Sequence, residues 1–186
     1  MYQWNNTNTK ILDILKNHEI NVYSQDFLLN PKLPFESNLF DMVTIFDVTE
    51  HFPKHPLEIL GEINRVLKPK GEVIIAGPNS VALEKRIRLL FGKHPNIPFD
   101  SWIKDVYYSH YREYDKKEQK RLLEISNFKN IVMYMSNEPI KTQVFKSYYN
   151  FKRRIYTPIM IYLYILFIIG FIFHNLRQSI YCIGEK

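Results

Sequence analysis

Between Phe40 and Ala76, two short strand-like runs bracket a helical repeat, and this restricts the chain more than any other feature. Phe40–Phe46, FDMVTIF, is apolar enough for a strand buried in a sheet. Pro56 sits where a helix would begin, and Leu57, Leu60, Ile63 and Leu67 recur at helical spacing. Lys68-Pro69-Lys70-Gly71 predicts a turn, because proline presets its own φ and glycine accepts φ > 0. Glu72–Ala76, EVIIA, predicts the next strand, stopped by Gly77-Pro78. Strand, helix, strand is the repeating unit of an α/β fold.

The remainder extends that rhythm. Thr7–Asn17 predicts a helix with an apolar stripe of Ile11, Leu12, Ile14 and Leu15, and the alternation over Ile20–Ser24 predicts a short strand. Ser80 is placed to cap a helix running to Phe91, with Gly92 just past its end. Asp115 and Glu118 have capping-box spacing and open a helix to Ile125. Phe128–Met135 and the closing SIYCIGEK predict two further strands. Strands alternating with helices indicate an α/β sandwich around a mainly parallel sheet, with residues 1–186 forming one domain.

A formal charge of +6 favours an anionic partner, either lipid head groups or nucleic acid. The basic residues are scattered and carry no recognised nucleic-acid motif, so that partner is not expected. Cys182 is the sole cysteine; it rules out an intramolecular disulfide and fits a reducing, cytoplasmic setting. No Cys/His cluster has metal-ligand spacing, so no metal site is expected. MYQWNNTNTK lacks the apolar core of a secretory signal.

Ile155–Phe173 is uncharged for about 19 residues, close to a bilayer-spanning length. Lys146, Lys152, Arg153 and Arg154 precede it as a cytoplasm-type flank. A full span would separate SIYCIGEK from the sheet, and Pro158 and Gly170 suggest breaks. The readings left open are an interfacial or re-entrant membrane element, a span, and a core or dimer helix. The first fits best, with residues 141–178 as a membrane-associating insertion before the last strand and the protein cytoplasmic but membrane-associated.

Leu33–Asn79 carries a specific order of motifs: Leu33-Pro34-Phe35, Phe40-Asp41, Glu50-His51, Arg65-Val66-Leu67-Lys68-Pro69, Gly71 and Pro78-Asn79. In this order and spacing they resemble class I, S-adenosylmethionine-dependent methyltransferases of the type 11 kind. His110–Tyr114 with Ser126–Phe128 is similar to the family's segment before its sixth strand. SIYCIGEK resembles its antiparallel seventh strand. The resemblance implies a Rossmann-like methyltransferase sandwich and S-adenosylmethionine as cofactor. It fails at the start, where the family carries a strand and a glycine-rich loop. The six glycines here include no G-x-G, and Asn5 falls near the place of the family's ribose-binding acid. The expected fold is therefore N-terminally incomplete.

The resemblance also implies sites. Asp26 matches the position that meets the adenine amino group, though a loop-capping aspartate would look the same. Phe27 would stack on adenine or belong to the core. Phe46 and Asp47 would border the methionine moiety and the transferable methyl, with Asp47 otherwise capping the next turn. His51 is the candidate catalytic base, able to take a proton from an attacking hydroxyl or amine, or else structural. Methyl transfer from a sulfonium is a direct displacement, so positioning can carry much of the catalysis. Tyr107, Tyr108, His110, Tyr111 and Arg112 would form an acceptor pocket or a solvated aromatic loop. The expected function is methyl transfer to a small or lipid-linked acceptor. The rival is a non-catalytic remnant acting as a membrane-tethered interaction module.

Overall fold

The computed structural model describes residues 13–27, 29–96, 99–104, 110–137 and 158–186. They fall into two compact units, Met1–Pro31 and Lys32–Lys186. In the first unit, residues 13–17 are helical and stop at a turn in which Glu19 takes a left-handed φ of 59°. Ile20–Ser24 is not a strand. Its alternating side chains are exposed, including Ile20, Val22 and Tyr23, and the segment joins no backbone ladder among the described residues. An alternating pattern supplies a strand's face but not its partner.

The second unit is built on a four-stranded sheet. Strand β1 (Phe40–Phe46) leads through a 3-10 turn (Thr49–His51) and helix α1 (Leu57–Val66) into β2 (Leu67–Pro78). Helices α2 (Leu83–Leu90), α3 (Phe99–Lys104) and α4 (Lys116–Ile125) follow, then β3 (Lys129–Ser136), α5 (Pro158–Ile172), a 3-10 turn (His174–Leu176) and β4 (Ser179–Glu185). The strand order is β1-β2-β4-β3. β1 and β2 are parallel, while β4 lies antiparallel between β2 and β3. Three strands therefore run one way and the last runs against them, as the resemblance of SIYCIGEK implied.

Local signals place most of these elements. α1 turns Ile59, Leu60, Ile63 and Val66 inward, and they join Val73 and Ile75 of β2 and Cys182 of β4 among the buried side chains. Each such aliphatic chain contributes roughly 1.5–3 kcal/mol by leaving water. The Asp115 carboxylate accepts from the Lys117 and Glu118 backbone N–H groups, while Glu118 reaches back to the Asp115 N–H, completing the capping box. Gly92, at φ 67°, closes α2, with its N–H donating to the Leu89 carbonyl.

Three expectations need correcting. FDMVTIF is a strand but not a deeply buried one; it is the edge of the described sheet, with Met42 and Phe46 about half exposed (50% and 53%). Lys68–Gly71 is no separate turn but an excursion inside β2: pairing with β1 jumps from Leu67 to Glu72, with Lys70 at φ 67°. Gly71 is required there, since a Cβ would lie 2.9 Å from the Lys68 carbonyl oxygen. Ser80 does not cap α2: Ala82 is the N-cap, and the preceding turn is held by the Asn79 side chain, which accepts from the Val81 N–H.

The Cys182 thiol is fully buried in the core, and burial pushes its pKa up to about 12. Thiolate is the reactive form, so alkylation by iodoacetamide should be negligible in the native protein and should track global unfolding across a urea series. Rapid labelling in native buffer would show that β4 opens independently.

Candidate active site

The C-terminal ends of β1 and β2 lie side by side, and the chain folds a polar corner over them. Asp47 leaves β1 in a left-handed conformation (φ 52°), and its N–H donates to the Ala76 carbonyl of β2. This turn delivers the short helix Thr49–His51, in which Thr49 and Glu50 are buried. Segment 110–114 then crosses the corner. The Tyr111 and Arg112 N–H groups donate to the Glu50 carbonyl at 2.8 and 3.3 Å, and the Ser80 N–H donates to the Tyr114 carbonyl at 3.1 Å.

Asn79 locks this end of the sheet. It is fully buried, and its amide donates to the Asn175 and Arg177 carbonyls at 3.1 and 2.7 Å. Its own N–H donates to the Gln178 carbonyl. The Pro78-Asn79 motif thus fastens the end of β2 to the entry of β4.

The side chains gathered here are ionisable. His51 and His110 meet edge to face with ring centroids 4.8 Å apart. His110 Nδ1 lies 2.7 Å from Glu113 Oε1, and Glu113 Oε2 pairs with the Lys85 ammonium from α2. Burial raises the Glu50 carboxyl above the ordinary carboxylate range. Burial, then the neighbouring His51, lowers His110. Burial brings Lys85 down to about 8. Shifts of this kind, concentrated in one cleft, mark a candidate functional site.

A cavity of about 450 Å³ opens onto the corner, lined by Asp47, Lys85, Arg88, His110 and Glu113 among others. A second cavity, of about 620 Å³, is lined by Phe52, Tyr111, Arg112 and Tyr114 but by none of Glu50, His51, His110 or Glu113. The smaller cavity is the one that meets the reactive side chains.

Of the residues singled out in the sequence, Asp47 and His51 belong to this corner, and Phe46 lies beside them at the end of β1. Asp26 and Phe27 lie in the first unit. The Asp26 carboxylate accepts from the Leu29 N–H at 3.2 Å, a turn-capping bond, and Phe27 is 37% exposed. Tyr107 and Tyr108 lie outside the described residues. Glu113 and Lys85 drew no notice in the sequence, where only their contact with His110 would have distinguished them.

Comparison with known proteins places this architecture. Residues 6–75 match the domain family described as "Methyltransferase domain", a span that includes Asp26, Phe27, Phe46, Asp47 and His51. An uncharacterised protein of Methanocaldococcus jannaschii, MJ0638, is 29% identical over 114 residues, or 61% of this chain. The chain spans only 40% of that relative's length. The fold is similar to that of an SAM-dependent methyltransferase from Archaeoglobus fulgidus (TM-score 0.54, 16% identity), covering 96% of this chain and 81% of that one. One from Aquifex aeolicus is similar at TM-score 0.51 and 13% identity, covering 95% and 60%.

Asn79→Ala removes the side-chain bonds that hold the corner, leaving carbonyls of the β4 entry short of a donor. It should cost about 1–3 kcal/mol of stability in urea unfolding. An unchanged midpoint would mean that the sheet end is held by other contacts.

Proposed function

We propose that this chain, which belongs by domain match and by fold with the class I methyltransferases, takes part in methyl transfer from S-adenosylmethionine to a small or lipid-linked acceptor. The observation that carries the reading is the corner at the ends of β1 and β2. Ligands of α/β sheets bind beyond the carboxyl ends of the strands, and here those ends hold Asp47, His51 and a ready cavity. Phe46 and Asp47 would border the methionine moiety and the methyl. His51 would receive the acceptor's proton as the new bond to carbon forms and the sulfonium leaves as thioether. Asp26 and Phe27, carried over from the family pattern, would address the adenine.

A membrane surface is the proposed setting. α5 exposes Ile165, Ile168, Phe171 and Ile172, with Phe173 just beyond it, and α2, which it contacts, ends in exposed Leu89 and Leu90 before Phe91. No helix among the described residues is long and apolar enough to cross a membrane, so the proposed contact is interfacial. The basic flank Lys152–Arg154 lies outside the described residues and enters as sequence alone.

The competing reading, a non-catalytic interaction module, is favoured by one feature: the chain contains no G-x-G. In a complete family member, backbone bonds to the cofactor's amino-acid end and a charged acceptor for its ribose would each be worth on the order of 1–3 kcal/mol. Losing two should cost roughly 3–5 kcal/mol, or about 100- to 3,000-fold in affinity. Calorimetric titration of the chain alone with S-adenosylmethionine should therefore give millimolar binding. Fusion to a strand and glycine-rich loop should bring it to micromolar, and Asp26→Asn should weaken that gain without unfolding the protein. No gain on fusion would favour the module, and micromolar affinity of the chain alone would mean that other backbone replaces the loop. For the membrane, neutralising Lys152, Arg153 and Arg154 with glutamine should weaken binding to anionic vesicles by about 1 kcal/mol per basic group. Full-length protein that floats free of such vesicles would contradict an interfacial α5.

A further inference from the structure

Glu50 is out of place by ordinary rules. Its side chain is 1% exposed, yet neither carboxylate oxygen has a hydrogen-bond partner among the described residues. An unpaired buried carboxyl is costly and usually finds a donor or a cation. Here it lies beside two imidazoles: the candidate ligand atoms of Glu50, His51 and His110 all lie within 4.8 Å of one another. A tetrahedral ion with bonds of about 2.0–2.2 Å would hold such atoms roughly 3.5 Å apart. Side-chain adjustments of about 1 Å would close the set on an ion of that size.

The surroundings fit a metal more than an accident of packing. Glu113 takes His110 Nδ1 at 2.7 Å, an arrangement that fixes the imidazole's tautomer and presents Nε2 as the ligand. Lys85, the nearby ammonium, is already paired with Glu113, and Asp47 adds negative charge next to Glu50. Two imidazoles with one carboxylate suit first-row transition ions better than calcium or magnesium, which prefer oxygen sets.

The geometry points to a binding site for one divalent transition-metal ion of the zinc or cobalt class, held by Glu50, His51 and His110, with a coordination position left open to an oxygen ligand. No local spacing announces it, because His110 reaches the site only through the fold. The site stands apart from the methyl-transfer reading, since the ion would bind the protein without cofactor. With the ion bound, His51 is a ligand and not the proton acceptor.

The test uses the full chain, stripped with a chelator and titrated with Zn²⁺ by calorimetry and with Co²⁺ by visible absorption. One ion should bind per chain, with the ligand-field bands of cobalt in a nitrogen and oxygen set. Glu50→Gln and His110→Asn should each weaken binding at least tenfold, and Glu113→Gln, which only orients His110, by about tenfold. Glu50→Gln keeps the shape and removes a buried charge, so without metal it should fold and melt no lower than the parent. Its melting temperature should no longer rise when Zn²⁺ is added. Absence of stoichiometric binding by the folded parent would overturn the site, as would equal binding by the parent and both ligand variants. Stabilisation by Glu50→Gln in a protein that binds no ion would identify Glu50 as a neutral, buried carboxyl.

Discussion

Strand β2 is the member on which the second unit depends. It alone pairs on both sides with strands that matter to the crevice, in parallel with β1 and antiparallel to β4. Its Val73 and Ile75 are buried, and its end is fixed by the fully buried Asn79. Because the Ala76 carbonyl receives the Asp47 N–H, the exit of β1 is referenced to β2 as well. The crevice is therefore placed by backbone hydrogen bonds, the most geometrically demanding interactions available to a chain.

From that frame the polar corner follows with few additional parts. One left-handed residue, Asp47, turns the chain so that Glu50 is buried and His51 faces His110. The Glu50 carbonyl then accepts two N–H groups from the crossing segment and brings His110 and Glu113 to the same place. Backbone of the short helix thus recruits the side chains that surround it. Ionisable groups that would be solvated elsewhere are held in partial burial, where their proton affinities diverge and their chemistry becomes selective.

The signals legible in the sequence were local ones. Asp115 with Glu118, and Gly92 after α2, specify helix ends through contacts within a few residues, and both hold. The motif order from Leu33 to Asn79 carried the fold beyond what periodicity allows, down to the antiparallel SIYCIGEK. What failed depended on partners. FDMVTIF looks buried by composition, but burial belongs to the strand's neighbours, and its described neighbour is β2 alone. Ile20–Ser24 alternates like a strand without acquiring a ladder. Asp47 and His51 were visible through the family pattern, whereas Lys85 and Glu113 become recognisable only when α2 and the crossing segment converge.

The central claim is that the cofactor's reacting end meets the protein at the ends of β1 and β2. Amide hydrogen exchange, with S-adenosylhomocysteine well above a millimolar dissociation constant, tests this without requiring turnover. The account predicts added protection over residues 46–52 and none over α5. Protection confined to α5, or none anywhere at saturating ligand, would contradict it.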